Sequence, residues 1–269
     1  MRYGLAAWGL REESLESQLA MTRELGLELL EFSIANYDKD ALQVGSSDEE
    51  IENVKKLFAQ YGVKLECGCT GNDFTGDDVA EQITKVKAVI DIAAKLGLKY
   101  LRIFAGFTSD SLVYGERFDK MIAALKEVND HAAPKGVTLC VETHGGVTCM
   151  DNGALLHFHS PSTRADMWKK IAETGVSMTY DPANLSGVGM PAPGEFYKEF
   201  KAIIPYMHLK DFKDVPGGEA PAACGEGRLD WKRLWNDLKG YDGPAMVEYE
   251  VVEDVKDGMI RSLNFLNSL

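Results

Sequence analysis

The stretch Leu96-Gly97-Leu98-Lys99-Tyr100-Leu101-Arg102-Ile103-Phe104, then Phe118, Ile122, Leu125 and Val128 at helical spacing, then Lys135-Gly136-Val137-Thr138-Leu139-Cys140-Val141-Glu142, decides the fold. Gly97 and Gly136 each stop a helix immediately before an apolar, β-branched run, so the segment spells helix stop, strand, amphipathic helix, helix stop, strand. The same device recurs at Leu25-Gly26-Leu27, Tyr61-Gly62-Val63 and Gly175. Strands are predicted over Tyr3–Trp8, Leu27–Phe32, Lys64–Cys67, Tyr100–Phe104, Thr138–Glu142, Ser177–Tyr180, Tyr206–Leu209 and Ala245–Tyr249. Helical periodicity also links Ile51, Val54, Leu57 and Phe58, and Ile83, Val86, Ile90 and Ala93. Strict alternation implies parallel strands joined by right-handed helical crossovers. Eight such units, with no dinucleotide-type G-x-G-x-x-G after the first strand, predict an α/β chain folded as a single (β/α)8 TIM barrel over residues 1–269. The segments near 144–160 and 211–230 show no clear period and follow strands, which places them at the end of the barrel where sites are built.

Charge narrows the function. Lys and Arg number 29 against 42 Asp and Glu, a formal −13. Such a surface repels phosphate backbones and anionic membranes, so nucleic-acid and membrane partners are not expected. The apolar runs are too short and too interrupted for a membrane span, and the N-terminal apolar stretch is too short for a secretory signal. Five cysteines, an odd number without C-x-x-C, fit a reducing compartment, and a cytoplasmic location is expected. Cys67 and Cys69 share a strand face; a metal pair and simple buried thiols are both readings of them.

The last four strands end in Val141-Glu142-Thr143-His144, Tyr180-Asp181-Pro182, Met207-His208-Leu209-Lys210 and Val247-Glu248-Tyr249-Glu250. One carboxylate at a strand end reads equally well as an N-cap for the next helix, and one histidine as a structural residue. Capping does not produce four ionisable groups on four successive strands. Three carboxylates and an imidazole aimed at one axis repel each other without a cation. Glu142, Asp181, His208 and Glu248 together make an O3N set for one divalent ion, Mn²⁺ or Mg²⁺ first, with Co²⁺, Zn²⁺ or Fe²⁺ also compatible.

These segments, with Gly225-Glu226-Gly227-Arg228-Leu229-Asp230-Trp231 and Gly240-Tyr241-Asp242-Gly243-Pro244, resemble the sugar phosphate isomerase/epimerase family of the xylose isomerase-like TIM barrel superfamily. The resemblance implies a divalent-metal sugar isomerase or epimerase acting on a small carbohydrate, a keto-sugar or related polyol. It implies Glu142, Asp181, His208 and Glu248 as metal ligands. The same four positions suit α-proton transfer through an ene-diolate, with Glu142 and Glu248 as the catalytic pair that removes and returns the proton. Loss of a β-hydroxyl from that intermediate would make the enzyme an inosose-dehydratase-like lyase instead. A non-catalytic sugar-binding barrel would be expected to lose a ligand, and none is lost. A trinuclear zinc endonuclease needs histidines from the first four strands, yet the first histidine is His131.

Further substrate-binding candidates are His144, Asn184, Lys210, Glu226 and Trp8, with Phe107 beside Trp8 as pocket wall. For Lys210 an ion pair with Glu250 or Asp211 is the structural alternative, and for Glu226 a hydrated loop position. Ketose 3-epimerases carry histidine where this chain has Asn184, which donates to an oxygen but does not titrate. No glycine-rich phosphate cradle is present. The internal charge of Arg102 calls for Glu31 or Glu66 as partner. A homo-oligomer is compatible with the sequence.

Overall fold

A computed structural model describes all 269 residues. Barrel strands run β1 (Arg2–Leu5), β2 (Leu29–Leu30), β3 (Phe32–Ser33), β4 (Cys67–Cys69), β5 (Tyr100–Ile103) and β6 (Thr138–Glu142). After a hairpin of β7 (Gly146–Cys149) and β8 (Leu155–Phe158) come β9 (Ser177–Tyr180) and β10 (Tyr206–Leu209). A second hairpin, β11 (Asp211–Val215) and β12 (Gly218–Ala222), precedes the last barrel strand, β13 (Pro244–Val247). The sheet order is β2-β1-β13-β10-β9-β6-β5-β4-β3, with every pairing parallel.

The two ends of that sheet, β2 and β3, flank Glu31 in the chain, so they are halves of one strand and the ring closes as the expected eight-stranded barrel. The predicted continuous strand Leu27–Phe32 breaks at Glu31 because the chain changes partners there. Glu31 N donates to Leu5 O at 2.9 Å, whereas Ile34 N donates to Cys69 O at 2.9 Å. The third strand lies later than the predicted Lys64–Cys67: Lys64 makes only an isolated bridge to Leu29, and the continuously paired run begins at Cys67.

Helices cover the outside: α1 (Leu15–Glu24), α2 (Asp48–Tyr61), α3 (Val79–Leu96), α4 (Glu116–Ala132), α5 (Ala165–Ala172), α6 (Pro182–Gly187), α7 (Pro193–Phe200), α8 (Trp231–Asp237) and α9 (Val255–Leu266). The predicted glycine stops hold. Gly62 and Gly97 end α2 and α3 in the left-handed region, at φ 65° and 78°. No helix is long and apolar enough to cross a membrane.

The two segments without visible period form a second, antiparallel sheet, β11-β12-β8-β7, beyond the C-terminal ends of β6 and β10. Its turns were present in the sequence as Asn152-Gly153 and Pro216-Gly217, with Gly153 and Gly217 at φ 81° and 86°. Inside the barrel the two-residue strand period stacks side chains in layers. Ala6, Leu29, Cys67, Cys140, Tyr206 and Met246 pack as an apolar floor. Two residues further along β2–β3, β5, β6, β10 and β13 stand Glu31, Arg102, Glu142, His208 and Glu248, all buried.

Candidate metal centre

One ligand atom from each of Glu142, Asp181, His208 and Glu248 lies within 4.8 Å of the others. The four side chains come from the ends of β6, β9, β10 and β13, and are 0–3% exposed. Asp181 divides its two oxygens between two tasks. Oδ1 caps α6, accepting from Ala183 N at 2.8 Å and Asn184 N at 3.0 Å. Oδ2 is buried without a hydrogen-bond partner. Capping and metal ligation are therefore not alternatives here; the cap fixes the carboxylate so that its free oxygen faces the cluster.

His208 is divided in the same way. Its Nε2 lies 3.0 Å from Glu31 Oε1 while Nδ1 has no hydrogen-bond partner. Glu31 also accepts from Tyr206 Oη at 3.0 Å and Ala7 N at 3.3 Å, and Arg102 Nε lies 3.6 Å away. Burial opposes the charge on Glu31, but His208 and Arg102 outweigh it and hold its carboxyl at about 2. Burial also opposes charge on the His208 imidazole, but in the metal-free protein Glu31, Glu248 and Glu142 overcome it and hold the ring charged, well above its usual range. Glu31 anchors the proton on Nε2, so the Nδ1 proton is the one a cation would replace. Two orphaned buried atoms, three carboxylates and an oriented imidazole fit a divalent ion.

The two glutamates differ. Burial raises Glu142 to about 7 against the pull of Arg102, His208 and Lys210. Burial also acts on Glu248, but Lys210 and His208 overcome it and hold that carboxyl well below the usual range. Lys210 Nζ bonds Glu248 Oε2 at 2.8 Å and Glu250 Oε1 at 2.7 Å, with Asp181 Oδ2 at 3.5 Å. The alternative partner Glu250 is thus real, though Lys210 also enters the cluster. Asp211 is not its partner: it accepts instead from Trp231 Nε1 at 2.7 Å.

Asn184 joins the cluster, donating through Nδ2 to Glu142 Oε1 at 3.1 Å. His144 stands one strand repeat above Glu142, its ring edge-on to Phe104 and Phe107 with centroids at 5.3 and 5.4 Å. Its Nδ1 faces Gly145 O, so Nδ1 carries the proton and Nε2 is an acceptor. Burial and nearby Lys210 keep the ring neutral, down to about 3.

Trp8 is half-buried in a 3-10 turn after β1, with the Arg11 guanidinium 4.6 Å above its ring. Glu226 is not brought to the cluster. Gly225 N and Gly227 N both donate to Asp211 Oδ2 at 3.2 Å, and the turn they make throws Glu226 outward onto Arg261, at 2.8 Å. Cys67 and Cys69 are buried thiols, one in the barrel floor and one beside Ser33 Oγ at 3.3 Å, and neither joins the ligand group. Arg102 takes Glu31 and Glu142 as partners, at 3.6 and 3.4 Å. Glu66 lies outside with Arg2.

The role of Glu31 as support for His208 was not read from the sequence, although a carboxylate inside an apolar strand was the available signal.

The family described as xylose isomerase-like TIM barrel matches residues 19–269. No curated protein sequence matches the chain. Among solved structures, the IOLI protein with a bound zinc atom superposes with TM-score 0.75 at 19% identity, covering 100% of this chain and 97% of that one. The probable 3-DHS dehydratase AsbF from Bacillus anthracis gives 0.73 at 15% identity, covering 99% of both chains. D-Psicose 3-epimerase from Clostridium cellulolyticum H10, solved with D-tagatose, gives 0.71 at 15% identity, covering 100% and 99%. With the closed barrel, the four ligand-type residues at its strand ends and a family match over nearly the whole chain, the protein belongs to the xylose isomerase-like TIM barrel family.

Proposed function

We propose that the protein is a divalent-metal-dependent isomerase or epimerase of a keto-sugar or related polyol, working by α-proton transfer. The observation that carries this reading is the convergence of Glu142, Asp181, His208 and Glu248, with Asp181 Oδ2 and His208 Nδ1 buried and unpartnered. When bound there, a divalent cation supplies Lewis-acid polarisation of a substrate carbonyl and its neighbouring hydroxyl.

The protein's own groups do the rest. Glu248, held ionised, is the group suited to accept an α-proton. Glu142, reaching the same cluster from β6, is placed to return a proton from another strand. Return to the same carbon from the other face gives the epimer, and return to the neighbouring carbon gives the isomer. Asn184 holds Glu142 in place through Oε1. Lys210 can donate to an oxygen that gains charge, and His144, neutral, can accept from a hydroxyl. Closure of the site from solvent strengthens each of these interactions.

The test is solvent-deuterium uptake into a panel of ketohexoses and cyclic keto-inositols by protein loaded with Mn²⁺, Mg²⁺, Co²⁺ or Zn²⁺. Metal-dependent uptake at the α-carbon is expected. Products then separate the outcomes: an epimer or isomer supports this reading, whereas loss of water makes the protein a lyase on the same residues. No uptake with any metal overturns it.

A further inference from the structure

Eleven buried side-chain atoms have no hydrogen-bond partner within the protein. Those of Asp181, Asn184 and His208 surround the candidate metal centre. A second set lies on the opposite arc of the barrel mouth: both oxygens of Asp38, and Nε and Nη1 of Arg102, which have only long ion-pair contacts to Glu31 and Glu142. A cation bound by Glu142, Asp181, His208 and Glu248 does not use this second set.

Asp38 follows β3 in a turn that begins at Ala35, the protein's single non-glycine residue in the left-handed region, at φ 51°. The turn is fixed by Ala35 N to Leu42 O at 2.6 Å and Lys39 N to Arg11 O at 3.0 Å. It brings the Asp38 carboxylate inward, to 6% exposure, where it feels Ser33 and the charges of Glu31 and Arg102. Arg102 ties this set to the metal centre, since its Nη1 lies 3.4 Å from Glu142 Oε2. A buried carboxylate with both oxygens unpaired is costly and uncommon unless a ligand supplies the donors.

We propose that Asp38, beside Arg102, forms the far end of the substrate subsite and selects a neutral polyol, whose adjacent hydroxyls donate to Asp38. This deepens the reading above and rests on it. The chemistry is that of hydroxyls alone. A carboxylate only accepts, Arg102 only donates and a hydroxyl does both, so adjacent hydroxyls suit the pair. A phosphate or carboxylate group satisfies Arg102 but sets its charge against Asp38 and Glu31. Asp38 therefore determines specificity and does not touch the proton that moves.

The experiment uses Mn²⁺-loaded full-length protein and its Asp38→Asn and Asp38→Ser variants. The probes are D-tagatose, D-fructose and a cyclic keto-inositol, with D-fructose 6-phosphate as the charged counterpart. Calorimetry gives the binding constants, and deuterium uptake gives KM and kcat. The parent is expected to bind a neutral polyol more tightly than the phosphate ester. Asp38→Asn keeps size but turns one acceptor into a donor, so binding of that polyol should weaken by about 10–100-fold. KM should carry the change, with kcat and the metal dissociation constant nearly unmoved, and preference over the ester should shrink. Asp38→Ser, which removes both carboxylate oxygens, should weaken binding at least as much.

Preference of the parent for the ester, failure to bind any neutral probe, or unchanged polyol binding by Asp38→Asn each overturns the assignment. A parent that binds a polyol without α-proton uptake overturns the proposed reaction while leaving Asp38 to be judged on the binding data.

Discussion

The two arcs of the barrel wall use charge differently. The arc from β6 to β13 places Glu142, Asp181, His208, Lys210 and Glu248 at one point, an excess of acid over base. The arc from β1 to β5 places two charges at the same height, Glu31 and Arg102, and these lie against each other. Neither arc is self-sufficient. Glu31 orients His208 and Arg102 flanks Glu142, so the quieter arc aims the ligands that the other arc supplies. In the proposed mechanism chemistry and positioning would thus be separated across the barrel axis, so that each can be broken alone.

The largest effect is expected on the chemical side. Glu248→Gln keeps the shape but removes a base and a ligand charge, so α-proton exchange should fall by about 10²–10⁴-fold or more, with metal binding weakened. Parent-rate exchange in that variant would remove Glu248 from the mechanism.

The positioning side is tested by Glu31→Gln, which touches no proposed ligand site for the cation. Its loss of charge releases the tautomer of His208, and metal affinity measured by calorimetry should drop by about 10–100-fold. An unchanged affinity would mean that the two arcs are independent.

The next effect follows from pH. The folded-state pKa of Glu142, about 7, lies above its ordinary 4.5, so the metal-free fold loses stability as pH rises from about 4.5 through 7. Glu31 acts in the opposite sense: held at about 2, it stabilises the fold above 4.5, and that contribution is lost as pH falls toward 2. Metal must displace the Glu142 proton and also the one that Glu31, Glu248 and Glu142 hold on His208, so affinity should rise by up to about a hundredfold per pH unit below about 7. Glu142→Gln should flatten that slope, and a flat parent profile would contradict the assignment.

The smallest effect concerns Lys210, which shares Glu248 Oε2 and lies near Asp181 Oδ2. Lys210→Met removes a cation that competes for two ligands. Metal binding should tighten several-fold while the metal-free melting temperature falls, because the carboxylates then repel unopposed. Weaker metal binding in this variant would make Lys210 a support of the site and not a competitor.

The alternation of short apolar runs with amphipathic helices, and the glycine stops at Gly62, Gly97 and Gly136, determined the barrel from the sequence alone, because hydrophobic period and helix termination are local properties. The ligand-type residues were legible for the same reason: each closes a strand run, and the fold brings strand ends together. Three things were decided only by tertiary structure. The break at Glu31 depends on which neighbour the strand pairs with on each side. Glu226 points to Arg261 because the turn around it wraps Asp211, a residue fourteen or more positions back in the chain. The partners of Glu31 and Lys210 come from strands far apart in sequence. Whether a buried charge meets its counter-charge is a matter of distances across the barrel axis, and no local pattern encodes them.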